Sequence, residues 1–122
     1  MQGRSEAYLG RWLCESKCRS RCVVATKVAG PADMPWLRGG PARLDAANIT
    51  AAAHASLRRL GVETIDLLQL HWPDRYVPMF GDVAFDASCD YGDAEPIEAQ
   101  LAALSRLVAE GKARAPRSRW GG

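Results

Sequence analysis

Two short apolar runs, residues 22–27 and 65–71, each close on a side chain that can hold a proton, Lys27 in the first and His71 in the second. Each then opens onto a long loop. An ammonium and an imidazole brought together can polarise a carbonyl or shift the acidity of a neighbouring group. Runs of β-branched and aliphatic residues with little polar alternation read as strands buried on both faces, as in parallel sheets covered by helices. Such sheets bind ligands at the carboxyl ends of their strands. As the last residues of adjacent parallel strands, Lys27 and His71 would meet at that rim.

The elements that must position the pair alternate along the chain as helix, strand, helix, strand, helix. Ser5 is placed to cap a helix over residues 6–15, with Leu9, Trp12 and Leu13 at helical spacing and Trp12 and Leu13 assigned to the core. After Lys27, a loop holding Gly30-Pro31, Pro35, Gly39-Gly40 and Pro41 excludes regular structure. Asp45 then caps a second helix with the stripe Ile49, Ala53, Leu57 and Leu60. Arg58 and Arg59 sit in its last turn and Gly61 is placed to end it. Pro96 opens a third helix with Ile97, Leu101, Leu104 and Val108 on one face, closed by Gly111. The helix-to-strand connection at residues 61–64 is minimal while both strand-to-helix loops are long, so the rim carrying Lys27 and His71 is the elaborated one.

Composition bounds the function classes. With 122 residues the chain is shorter than the roughly 250 of a closed (β/α)8 barrel. Its hydrophobic content of 48% and charged content of 25% are those of an ordinary globular protein. No apolar stretch approaches the roughly 20 residues of a membrane helix, and the first residues lack a secretory core, so a cytoplasmic protein with reduced thiols and no membrane partner is expected. The formal charge of +2 belongs to the end of the chain: Lys112, Arg114, Arg117 and Arg119 stand there without an acid, and residues 1–111 are net acidic. A disordered basic tail is expected over 115–122, with too little cation density and no partnering fold to imply nucleic-acid binding. Cys14, Cys18 and Cys22 recur every four residues, but without a second pair or a histidine at ligand spacing they do not make a metal site.

Residues 25–28 (ATKV), 56–61 (SLRRLG) and 65–73 (IDLLQLHWP) resemble the aldo-keto reductases in order and spacing. The opening residues 3–6 (GRSE) with Leu9-Gly10, and residues 111–114 (GKAR), are similar to the same family, so the resemblance spans residues 3–114. The subgroup containing potassium-channel β subunits and bacterial general-stress reductases is the most similar. The resemblance implies a partial (β/α)8 barrel of about two parallel strands and three helices. It implies reduction of aldehydes or ketones with NADPH, a small carbonyl compound being the partner. It carries Lys27 onto the family's catalytic lysine, His71 onto its catalytic histidine, and Trp72 onto the substrate wall. In that chemistry a tyrosine donates the proton to the carbonyl oxygen, an adjacent ammonium lowers the phenol's pKa from about 10, and the imidazole orients the oxygen.

The family's tyrosine, its lysine-pairing aspartate and its Gly-x-Ser-Asn turn have no counterpart between residues 3 and 122. Tyr8, Tyr76 and Tyr91 do not occupy the tyrosine motif. The resulting expectation is a reductase fragment, loosely folded and inactive alone, with the cofactor belonging to the complete protein. The other reading is a non-catalytic regulatory or interaction protein related to the channel β subunits. Asp66, set in an apolar strand, is expected to be structural and to pair with an arginine such as Arg58.

Overall fold

Asp45 shows how local chemistry sets the frame. Its carboxylate accepts the Asn48 N–H at 2.8 Å and the Asn48 side-chain amide at 2.7 Å, which starts helix α2, Ala46–Leu60. Gly61, at φ 63°, ends it as the sequence indicated. In the computed structural model, residues 3–32, 34, 37, 41–78, 81 and 83–118 are described, without the side chains of 116–118. Pro35 and Gly39-Gly40 of the first loop, and residues 119–122 of the expected tail, lie outside them.

The other helices are α1, Arg4–Ser16, and α3, Ile97–Ala109. The strands β1, Ala25–Val28, β2, Ile65–Leu70, and β3, Ala113–Ser118, form one parallel sheet in the order β1-β2-β3. The core lies between one face of this sheet and the helices: Val24, Val28, Leu68 and Leu70 pack with Ile49, Ala53, Leu57 and Leu60 of α2, Leu104 and Leu107 of α3, and Leu13 of α1.

Several expectations are corrected. A left-handed Gly3, not Ser5, precedes the first helical residue, and Ser5 sits inside α1. Leu13 is buried, but Trp12 is 51% exposed, because only one side of α1 meets α2. The first strand is not buried on both faces: Val28 is covered while Ala25 and Lys27 are exposed. Helix α3 turns Gln100, Ala103, Leu104 and Leu107 inward and leaves Ile97 and Leu101 nearly half exposed. A third strand occupies residues 113–118 where disorder was expected from 115. Its backbone pairs with the open edge of β2, Ile65 opposite Ala113 and Leu70 opposite Ser118, so the partner strand imposes a conformation that its own side chains do not favour.

Candidate active-site rim

The rim is built from the amino-terminal feet of the strands upward. Asp66 carries that anchoring: its carboxylate accepts the Val24 N–H at 2.8 Å and pairs with Arg19 at 2.7 Å and Arg114 at 3.1 Å. Arg19 also donates to the Thr64 carbonyl at 2.7 Å. One carboxylate thus ties together the chain entering β1, the second residue of β2 and the second residue of β3. Arg58, the partner expected from sequence, is exposed on α2. Burial alone would raise the Asp66 carboxyl, but the Val24 N–H and the two guanidiniums outweigh it and hold it below the usual carboxylate range.

Register carries this anchoring to the other end. Lys27 lies opposite Gln69, and the ladder continues past β2 through the His71 N–H to the Val28 carbonyl at 2.9 Å. Lys27 is the penultimate residue of β1 and His71 the first residue after β2. Side chains two apart in a strand share a face, so Lys27, Gln69 and His71 stand on the sheet face turned away from the main helical core. Lys27 and His71 both line one cleft of about 590 Å³ that runs along β1 between residues of α1 and α2. The imidazole Nδ1 is buried and finds no hydrogen-bond partner among the described residues. Such an atom costs about 1–3 kcal/mol, a penalty seldom retained by a purely structural side chain.

Trp72 is positioned by its neighbours. Its indole N–H donates to the Pro31 carbonyl at 2.9 Å, and its ring centroid lies 4.9 Å from that of His71. A Cβ on Gly30 would come within 2.4 Å of this indole, so glycine is what lets the ring close over the loop after β1.

Two polar networks beside the rim were not foreseen. Along the cleft, Glu6 accepts from Thr26 at 2.6 Å and from Arg59 at 2.5 Å, joining α1, β1 and α2 next to Lys27. Burial works against the Glu6 charge, but hydrogen bonds from Thr26, Ser56 and Arg59 hold its pKa down. Above the rim, buried Asp74 accepts from the Leu44 N–H at 2.6 Å, from Arg43 at 3.1 Å and from the Tyr91 hydroxyl at 3.3 Å. Arg43 also reaches Asp93 at 3.2 Å and lies over the Tyr91 ring, so the two long loops are fastened to each other. Burial first, and then Asp74, push the Tyr91 phenol up to about 12. The sequence signal for this network was the concentration of Arg, Asp and Tyr in loops otherwise rich in Pro and Gly.

The remaining tyrosines stand elsewhere. Tyr8 is exposed on α1, and Tyr76 packs against Phe85 with centroids 5.4 Å apart. No tyrosine lines the Lys27–His71 cleft. Nor do the described residues form a cradle for a dinucleotide's phosphates, because both strand-to-helix connections are long loops rather than tight glycine turns. The described residues therefore do not fit a dinucleotide as a whole. Among the described residues, no group of three or more His, Cys, Asp or Glu could hold a metal, and no helix is long and apolar enough to cross a membrane.

Comparison with known proteins agrees with this geometry. The profile of the aldo/keto reductase family matches residues 1–116. An aldo-keto reductase of Babesia bovis is 46% identical over 102 residues, covering 78% of this chain and 36% of that protein. The protein Tas of Escherichia coli is 36% identical over 109 residues, covering 88% of this chain and 30% of its own length. An aldo-keto reductase from Bacillus halodurans, solved in its holo form, superposes with a TM-score of 0.65 at 28% identity, over 96% of this chain and 32% of that one. An aldo/keto reductase from Klebsiella pneumoniae, solved with NADP and acetate, gives 0.61 at 28% identity over 95% and 30%. The chain thus spans about a third of the length of these relatives, and its three parallel strands with their helices are a segment of their (β/α)8 barrel. By family match, sequence identity and fold together, this chain belongs to the aldo/keto reductase family.

Proposed function

We propose that this chain carries the lysine–histidine part of a carbonyl-reducing site, with Lys27 and His71 as its catalytic residues and Trp72 as part of the substrate wall. The observation that carries the reading is the placement of Lys27 and His71 in the lining of one cleft at the carboxyl rim of adjacent parallel strands. In the complete site NADPH supplies the hydride. The imidazole of His71 orients the carbonyl oxygen of a small aldehyde or ketone and stabilises charge developing there. The Lys27 ammonium favours the anionic form of whichever phenol gives up the proton. Trp72, held by Pro31 and Gly30, packs beside His71 as part of the substrate wall. No tyrosine lines the cleft of Lys27 and His71, which supports the reading that the 122-residue chain alone performs no reduction. Its free cysteines suit a reducing, cytoplasmic compartment.

Two assays test this. The purified chain, mixed with NADPH and an aromatic aldehyde, is expected to show no turnover above blank. Residues 3–114 grafted in place of the corresponding segment of the Klebsiella reductase are expected to give an active chimera. Lys27→Met or His71→Ala should then lower its kcat roughly 100-fold or more. Full activity in either variant overturns the assignment.

A further inference from the structure

The turn between α1 and β1 lies at the opposite end of the sheet from the rim and holds two cysteines that the reductase reading does not use. The Cys22 thiol donates to the Cys18 sulfur at 3.6 Å, and the Ser16 hydroxyl lies 2.9 Å from the same Cys18 sulfur. Cys18 is 4% exposed, whereas Cys22 opens onto a second cleft of about 710 Å³ whose wall includes Lys17, Arg19 and Arg114. A sulfur pair at van der Waals contact needs to close by only about 1.5 Å to reach bonding distance. With Asp66 paired to Arg19 and Arg114 and Glu63 in the same wall, the cleft keeps a small net positive charge that favours an anionic reagent.

We propose that Cys18 and Cys22 are a site of reversible thiol–disulfide modification, converted to an intrachain disulfide by a small anionic disulfide such as oxidised glutathione. The Cys22 sulfur, reached through the cleft, bonds to one sulfur of the reagent and breaks its S–S bond, releasing one small thiol. Cys18 then bonds to the Cys22 sulfur and breaks the mixed disulfide, releasing the second. The two cysteines lose two electrons, the reagent gains them, and the two protein thiol protons end on the two small thiols. The environment favours the second step: the Ser16 hydroxyl first, and the neighbouring Cys22 and Arg21 after it, hold the Cys18 thiol below its ordinary range, which favours the resolving thiolate. The Cys22 thiol is pushed up, chiefly by its hydrogen bond to Cys18, so it gives up its proton as it attacks the reagent.

The sequence contains its own control. Cys14 and Cys18 are separated by three residues, as are Cys18 and Cys22, so loop closure in an unfolded chain favours neither pair. In the folded chain Cys14 is exposed on α1, and only Cys18 and Cys22 meet. Trypsin, cutting after Lys17, Arg19 and Arg21, puts the three on separate peptides. The full chain, exposed to oxidised glutathione, alkylated, digested and mapped by mass, is expected to yield residues 18–19 linked to residues 22–27. In buffer this link should exceed the Cys14–Cys18 link by about tenfold, and in urea the two should be comparable. In Cys14→Ser/Cys18→Ser, which also removes the exposed thiol lining the same cleft, glutathione should accumulate on Cys22 as a stable adduct. The Cys14→Ser/Cys89→Ser chain should lose both remaining thiols and regain them with dithiothreitol. Equal links in buffer, an unresolved adduct on wild-type Cys22, or no loss of thiols would overturn the proposal.

Discussion

Asp66 is the residue on which the strand alignment converges, and its environment makes a pH prediction with a definite sign. Its folded carboxyl is held down, so its stabilising contribution is complete above the ordinary carboxylate pKa of about 4 and is lost as pH falls through the lowered folded value. Glu6, also held down, adds a loss in the same direction. Asp66→Asn should therefore lower the urea midpoint at neutral pH, by an amount equivalent to about 2 kcal/mol, because the Val24 N–H and Arg19 lose a charged acceptor. The difference between variant and wild type should shrink as pH falls below about 4, through the lowered folded value. A constant difference down to pH 2 would show that the charge is not what matters. At the rim, Gly30→Ala should destabilise by about 1–3 kcal/mol, since its Cβ meets both the indole and the backbone oxygen of Trp72 and the ring cannot simply rotate away. The check is loss of near-ultraviolet circular dichroism from tryptophan, together with a lower urea midpoint.

Between elements a close approach of backbone to backbone occurs at Gly10, where α1 crosses the end of α2. A Cβ there would lie 2.5 Å from the Leu60 carbonyl oxygen and 2.7 Å from that of Arg59. Gly→Ala inside a helix gains about 1 kcal/mol of propensity, whereas overpacking costs about 1–3 kcal/mol. The clash is with backbone, so the second effect wins and Gly10→Ala should lower the thermal midpoint by several degrees, which calorimetry can read. The same scale explains what the sequence disclosed. Helix α2 was legible because its cap, its stripe and its terminating glycine are all local signals, and Ile49, Ala53, Leu57 and Leu60 are all buried. For α3 the start and stop were legible and the buried face was not: Leu101 and Leu104 are equally apolar, and only packing against α2 and β3 decides that Leu104 turns inward. Strand β3 was illegible because Arg, Pro and Ser gain their extended form from the edge of β2. Lys27 and His71 were readable from their place at the ends of apolar runs, whereas the Arg19–Asp66 pair joins residues from different elements and leaves no local trace.

For the molecule as a whole the decisive asymmetry is between the two faces of its sheet. One face is sealed by the helices, with Leu68 at 0% exposure, while the other presents exposed Ala25 and Lys27 and half-buried Leu67 and Gln69. Adjacent residues of β2 should therefore respond in opposite ways to one substitution. Leu68→Lys places an ammonium in the core without a partner, a cost that exceeds what a marginally stable domain can absorb, and the chain should lose its cooperative unfolding transition. Leu67→Lys puts the same charge on the open face, where its stem can lie along the sheet with its head in water, and should change stability by less than about 1 kcal/mol. It should also reduce concentration-dependent association, because an uncovered apolar face and the outer edges of β1 and β3 are surfaces on which copies of the chain can stack. Urea titration and light scattering on the two variants separate these outcomes. If Leu67→Lys unfolds the chain as Leu68→Lys does, both faces are covered in solution and the rim of Lys27 and His71 lies inside an assembly rather than open to solvent.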